Sequence, residues 1–164
     1  MSLAVSRSKR VAVLSSAVAL AAGVGITAAV TTSAEAIPAA SKACAFSVLS
    51  NTAANGWRPV TGSAVTINNG SSSRHVVLNF NADAGVDSLA EIRVGYSVNG
   101  GSVTTPGAQN FANHTQYWET RHNMVVMYLP PGTHTIQPYW RISGATGKNG
   151  VIASRCITAE AYTS

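Results

Sequence analysis

Short stretches in which apolar and polar residues alternate are the feature of this chain that most restricts its fold. The clearest runs from Ala90 to Asn99, where every second residue from Ile92 to Val98 is apolar. A period of two is typical of a β-strand with one buried face and one face in water. From Lys42 onward, no segment of about 11 or more residues places its apolar residues at helical spacing. We therefore predict an all-β domain.

The alternating stretches predict seven or eight short strands separated by turns rich in Gly, Asn and Pro. The apolar run Met124–Leu129 predicts a strand in the middle of a sheet. Pro138 has no N–H group, so it predicts an edge strand or a bulge at that point. The predicted strands are one that contains Cys44, Phe46 and Val48, and then Ala64–Ile67, Arg74–Ala82, Ala90–Asn99, Met124–Leu129, Thr133–Ile142 and Val151–Thr158.

This number of strands in about 120 ordered residues predicts a two-sheet antiparallel sandwich. The topology is either that of a jelly roll or that of an immunoglobulin-like domain, and periodicity does not choose between them. We predict one sandwich domain at 43–164, preceded by a flexible lead at 37–42 and a signal peptide at 1–36.

The first 36 residues have the three parts of a secretory signal peptide. Arg7, Lys9 and Arg10 form a basic segment, Val11–Val30 is apolar, and Ala34–Ala36 is a small-x-small cleavage site. The alternative is a retained membrane anchor, because about 20 apolar residues can span a bilayer. The Ala, Gly, Ser and Thr content of the segment favours cleavage. We therefore expect a secreted, extracellular protein with no membrane contact after cleavage.

The charge of the mature chain argues against nucleic-acid binding. The whole chain has 11 Lys and Arg and six Asp and Glu, of which three and one lie in the signal segment, leaving a net charge of about +3. The basic residues are scattered singly, whereas nucleic-acid binders cluster them on one face.

Cys44 and Cys156 lie near the two ends of the mature chain. Two cysteines in an exported protein most simply form a disulfide, which would make the first and last strands neighbours. A reactive thiol would call for a C-x-x-C motif, and none is present.

Two groups of residues are candidates for catalytic or metal chemistry. His114, His122 and Glu119 are spaced so that folding could gather them around zinc. Asp83 and Asp87 could bind calcium or serve as the paired carboxylates of a glycosidase, although a turn between strands explains them better. We expect a protein that is not an enzyme and needs no metal or cofactor.

Aromatic residues are a stronger indication of function. The chain has three Trp and five Tyr, more large rings than one small core uses, so we expect Trp140 and at least one other Trp in the core and some of the remaining rings in water. Exposed rings are platforms for sugars or for protein partners. The predicted site lies on the long polar loop from Gly101 to Gln116 and the residues after it: Asn110, Asn113, Gln116, Tyr117 and Trp118.

Three stretches resemble a pattern in known proteins. Tyr128–Trp140 (YLPPGTHTIQPYW), Val94–Gly101 (VGYSVNGG) and Pro106–Gly107 resemble small exported β-sandwich proteins of high-GC Gram-positive bacteria and the jelly-roll-like heads of phage tail proteins. The resemblance implies a non-catalytic binding domain. One such class is the small adaptor subunit of the secreted umbrella-shaped toxin particles of filamentous soil bacteria.

The sequence thus favours a secreted binding protein, such as an adaptor in an extracellular assembly, whose partner is another secreted protein. A strand edge near Pro138, or a strand added by the lead peptide, is the expected mode of contact. The alternative is a carbohydrate-binding module in which Tyr117 and Trp118 stack on sugar while Asn110, Asn113 and Gln116 donate and accept hydrogen bonds. A small hydrolase or metal enzyme is a third reading.

Overall fold

The computed structural model describes residues 40–53, 56–105, 110–113 and 118–162. The predicted signal peptide therefore lies outside the described residues. No helix in the described part is long and apolar enough to cross a membrane. The described residues form ten β-strands: β1 (Ala40–Ala45), β2 (Leu49–Thr52), β3 (Arg58–Pro59), β4 (Val65–Asn68), β5 (Arg74–Val86), β6 (Ala90–Val98), β7 (Asn110–Asn113), β8 (Glu119–Leu129), β9 (Thr133–Gly144) and β10 (Asn149–Tyr162).

The strands form two antiparallel sheets, as the alternation predicts. Sheet A has the order β1–β10–β5–β8, with β2 also paired to β10. Sheet B has the order β3–β9–β6–β7, with β4 also paired to β9. The pairs are nested along the chain: β1 with β10, β3 and β4 with β9, β5 with β8, and β6 with β7. This nesting is the topology of a jelly roll, so the structure decides the point that periodicity left open.

The first predicted strand is wrong in its details. Ala40–Lys42, assigned to the flexible lead, begin β1 and pair with β10. The chain leaves the sheet after Ala45, so Phe46 and Val48 lie in the connection to β2 with 77% and 59% of their surface exposed.

The run Met124–Leu129 is not central, because β8 lies at the edge of sheet A. Its apolar residues alternate between the two faces: Val125 and Leu129 are buried, whereas Met124, Val126 and Tyr128 are exposed. An apolar run predicts two buried faces, but one face of this strand has no cover among the described residues.

Pro138 is neither at an edge strand nor at a bulge with β6. The register of β9 with β6 continues through the pair Tyr96–Pro138 without a shift. The backbone of Tyr96 bonds to Thr104 instead, so Pro138 turns its nitrogen away from β6. Pro138 faces the break between β3 and β4, where its carbonyl accepts a hydrogen bond from the N–H of Val60 at 2.8 Å. The N–H group that Pro138 lacks is therefore not needed for a backbone hydrogen bond between β9 and β6.

The core lies between the two sheets and is filled by the inward residues of the long strands. Trp140, Ile136 and Ile142 of β9 are buried, as their spacing predicts. The rings of Phe80 and Phe111 pack at 5.3 Å between centroids and connect the two sheets. Full burial of such side chains contributes about 1.5–3 kcal/mol each.

The predicted disulfide is confirmed. Cys44 and Cys156 stand directly opposite each other on β1 and β10, with Cα atoms 4.1 Å apart, and they form a disulfide bond. A disulfide is typical of proteins from oxidising compartments.

Candidate functional site

The outer face of sheet A holds four of the eight exposed large hydrophobic side chains of the described residues. In the described part of the chain, Met124, Val126 and Tyr128 on β8 and Tyr162 on β10 are each between 44% and 64% exposed. The strands of sheet B expose no large hydrophobic side chain among the described residues, and Val103–Thr105 lie over their outer face at Gly95. An apolar face on one side of a sandwich is a feature of interaction surfaces.

Alternation along β8 places Met124, Val126 and Tyr128 in one row on this face. We call these three residues the β8 row. Val125 and Met127, which lie between them, point inward. Asn123, directly before the row, is also buried and accepts a hydrogen bond from the Tyr96 hydroxyl at 3.2 Å. This hydrogen bond joins sheet B to the inner face of β8. Because side chains alternate along a strand, it fixes the β8 row on the outer face.

At the Tyr128 end of the β8 row, the exposed surface continues across sheet A onto β5 and β10. Tyr128 stands opposite His75 of β5, and the two rings pack with centroids 5.1 Å apart. His75 in turn stands opposite Tyr162 of β10. The Tyr162 hydroxyl donates to Glu160 at 2.5 Å, and this bond raises the pKa of the tyrosine. Aromatic rings thus extend over three neighbouring strands.

The free edge of β8 adds a second property to this surface. Among the described residues, β8 pairs with β5 on one side and with no strand on the other. It contains no proline, and its charged residues, Glu119 and Arg121, lie within its first three positions. Edge strands usually avoid self-association through charges, proline or a bulge. The centre and end of β8 have no such protection.

Trp118 lies at the opposite end of the same face and lines a cleft of about 360 Å³. The side chain of Trp118 is 53% exposed. Gly85, Val151 and Gly150 line the cleft from the ends of β5 and β10, and Gly85 adds no side chain to it. Val86, Asp87 and Asn149 are the other described residues of the lining.

Asp87, in the β5–β6 connection, and Asn149, the first residue of β10, are held by hydrogen bonds to each other. The N–H of Asp87 donates to the carbonyl of Asn149 at 2.9 Å, and the N–H of Asn149 donates to Oδ2 of Asp87 at 2.7 Å. Oδ1 of Asn149 accepts from the Thr52 hydroxyl at 3.1 Å. These contacts fix a carboxylate and an amide on the same cleft as an exposed indole ring.

The predicted site residues divide into three groups. Trp118 is exposed beside a cleft, as expected for a binding residue. Asn110 and Asn113 are exposed at the two ends of β7, where they pair with Arg93 and Glu91, and neither lines the Trp118 cleft. Gln116 and Tyr117 lie outside the described residues. Trp118 shares the cleft with Asp87 and Asn149. Neither Asp87 nor Asn149 was among the predicted site residues.

Neither the zinc site nor the calcium site considered from the sequence is present in the described part of the chain. Asp83 belongs to β5 rather than to a turn, and its Oδ1 accepts from the Thr120 hydroxyl at 2.7 Å. Among the residues that the structure describes, no three His, Cys, Asp or Glu side chains gather where they could hold a metal. His114, part of the zinc reading, lies outside those residues.

Comparison with solved structures returns the fold alone. VP2 of infectious bursal disease virus, solved as a subviral particle, is similar with a TM-score of 0.50 and 14% identity, over 75% of this chain and 32% of VP2. Eiger TNF from S. frugiperda is similar with a TM-score of 0.43 and 8% identity, over 77% of this chain and 94% of that one. The chain thus spans about a third of the length of VP2. No protein-family model and no curated protein matches the chain.

Proposed function

We propose that this chain is an exported, non-catalytic binding protein that attaches to a secreted protein partner through the β8 row and the free edge of β8. The observation that carries the proposal is the exposure of Met124, Val126 and Tyr128 on an edge strand. A partner strand that pairs with this edge would gain backbone hydrogen bonds, and its side chains would cover the row.

Three features support export and an adaptor role. The signal-peptide features of residues 1–36 direct the chain out of the cell, and the Cys44–Cys156 disulfide suits an oxidising compartment. The resemblance to adaptor subunits of secreted toxin particles agrees in size, export and sandwich character. An adaptor needs a stable scaffold with an exposed docking surface, and the disulfide-closed sandwich with its β8 row has both.

The test is recovery of the protein from the culture fluid of its producer. Tagged wild-type protein, expressed from its full gene, is purified by affinity, sized and analysed by mass spectrometry. We expect a stoichiometric complex with a second secreted protein. Val126→Lys places a charge at the centre of the β8 row, where edge lysines block strand pairing, and should give the monomer.

The matched control is Thr133→Lys, which adds the same charge at an exposed position on sheet B. This variant should retain the complex. A wild-type protein recovered as a monomer would overturn the proposal, as would a complex that survives Val126→Lys but is lost in Thr133→Lys.

A further inference from the structure

The Trp118 cleft is separate from the β8 row and has a different chemistry. The β8 row is flat and apolar, whereas the cleft combines one aromatic wall with a carboxylate and an amide. We propose that this cleft is a second binding site, which takes a neutral pyranose ring of a glycan. The proposal goes beyond the binding function assigned to β8 and does not depend on it.

The shape of the cleft suits a single sugar ring. A volume of about 360 Å³ is at the lower end of the range for small-molecule sites, which begins near 300 Å³. Gly85 adds no side chain to the cleft, so its backbone forms part of the wall. One flat indole ring in the same cleft offers an apolar surface to the C–H face of a pyranose.

The polar groups suit the hydroxyls of that ring. The hydrogen bonds between Asp87 and Asn149 use the carbonyl of Asn149 and the Oδ2 atom of Asp87. A carboxylate has two oxygens and about four acceptor positions, so Asp87 keeps capacity for sugar hydroxyls after it accepts from Asn149. Asp87 is already held by the N–H of Asn149, and the side chain of Asn149 by the Thr52 hydroxyl, so the entropic cost of ordering them on ligand binding is small.

The charge of the cleft selects against acidic sugars. Among the residues that the structure describes, the lining includes one carboxylate, Asp87, and no Arg, Lys or His. A uronic acid or a sulfated sugar would bring a second negative charge to Asp87, with no cation in this described lining to balance it. A neutral ring meets no such repulsion, so the ligand class is a neutral hexose or N-acetylhexosamine chain.

The test is calorimetric titration of the full-length gene product with four defined probes: cellohexaose, mannohexaose, the hexamer of N-acetylglucosamine, and polygalacturonate as the acidic comparator. We expect at least one neutral probe to bind and polygalacturonate to fail. Binding should also protect the wild-type tryptophan fluorescence from acrylamide, because Trp118 is exposed whereas Trp140 is buried.

Variants assign the binding to the cleft. Trp118→Ala should weaken binding at least about tenfold, since a central Trp is a typical hot spot, and Trp118→Tyr should restore part of it. Asp87→Asn keeps an acceptor for the Asn149 N–H, so the turn should persist while affinity for the sugar falls. Tyr128→Ala, an exposed aromatic outside the cleft, is the matched control and should bind as wild type does.

Several results would overturn the inference. Failure of all three neutral probes would do so, as would unchanged affinity in Trp118→Ala or equal affinity for polygalacturonate. The same variants separate sugar binding at the cleft from protein binding at the β8 row. Loss of the protein complex in Val126→Lys with sugar binding intact would support two sites, whereas loss of sugar binding in Tyr128→Ala would place the sugar on the β8 row instead.

Discussion

The guanidinium of Arg155 donates to the backbone carbonyl of Thr61 from both Nε, at 3.0 Å, and Nη2, at 2.5 Å. Nη1 donates to the carbonyl of Ser47. Arg155 is 1% exposed, and no carboxylate among the described residues pairs with it. This side chain therefore joins β10 to the β1–β2 connection and to the β3–β4 connection, and burial lowers its pKa.

Replacement of Arg155 by Met should destabilise the fold, because it removes the charged donor that joins the carbonyls of Ser47 and Thr61 to β10. Hydrogen bonds to a charged group contribute about 1.5–3 kcal/mol each, and water can reach both carbonyls because Ser47 and Thr61 are exposed, so we expect a loss of about 2–4 kcal/mol in the free energy of unfolding measured by urea denaturation. Arg58→Met, on the exposed strand β3, should stay within about 0.5 kcal/mol of wild type. Equal or greater stability of Arg155→Met would show that burial of the charge costs more than its hydrogen bonds return.

The buried hydroxyl of Tyr96 should make the protein sensitive to alkali. Burial raises the pKa of Tyr96 above its ordinary value of 10.0. Above pH 10 an unfolded tyrosine loses its proton while the folded one keeps it, so the folded state binds more protons and stability falls as the pH rises. The contribution is full below pH 10 and falls by up to about 1.4 kcal/mol per pH unit above it.

Urea denaturation between pH 9 and about pH 11 tests this linkage. Tyr96→Phe removes the ionisable group, so its stability should depend less steeply on pH than that of wild type above pH 10, although it loses the bond to Asn123. Parallel profiles for the two proteins would mean that other groups cause the alkaline loss.

Reduction of the Cys44–Cys156 disulfide should lower the free energy of unfolding by about 5 kcal/mol. The bond closes a loop with a sequence separation of 112 residues, and the chain-entropy model gives about 4.7 kcal/mol for a loop of 100 residues. Denaturation with and without reductant measures the loss. A double variant, Cys44→Ala with Cys156→Ala, should be as weak as the reduced protein and indifferent to reductant. Intact masses that do not differ by two hydrogens would refute the pairing.

Gly95→Ala should destabilise sheet B. A Cβ atom at Gly95 would lie 2.7 Å from Cγ1 of Val103 and 3.0 Å from the carbonyl oxygen of Thr104, so the segment that covers this face would have to move. Overpacking of this kind costs about 1–3 kcal/mol. Gly56→Ala is the matched control, since a Cβ there meets no atom within 4 Å. Equal thermal midpoints for the two variants would contradict the expected role of Gly95.

The sequence alone was sufficient for the long strands and for much of the core, but not for β3 or for β7, which lies in the predicted Gly101–Gln116 loop, because two to four residues are too few to show alternation. Alternation located β6 and β9 and the burial of Ile136, Trp140 and Ile142. The positions of Cys44 and Cys156 predicted the contact between the first and last strands. These features are local, or follow from one covalent bond, so no knowledge of the other strands is needed.

The candidate site was predicted only at Trp118. The exposure of the β8 row had no signal in the sequence, because Met124, Val126 and Tyr128 are apolar, whereas the polar Asn123 lies on the buried face. The cleft had no signal either. Asp87 and Asn149 are separated by 62 positions and meet because β5 and β10 are neighbours in sheet A.

Residue types thus determined where strands form and which of their faces are apolar, because a period of two is set by each strand's own backbone. The tertiary structure decided that β8 lies at an edge, that Arg155 turns inward beyond the irregularity of β10 at Ala153–Cys156, and that Trp118 shares a cleft with Asp87 and Asn149. Those features depend on which distant strands pair, and strand pairing is selected by the burial of the whole sandwich rather than by any one segment.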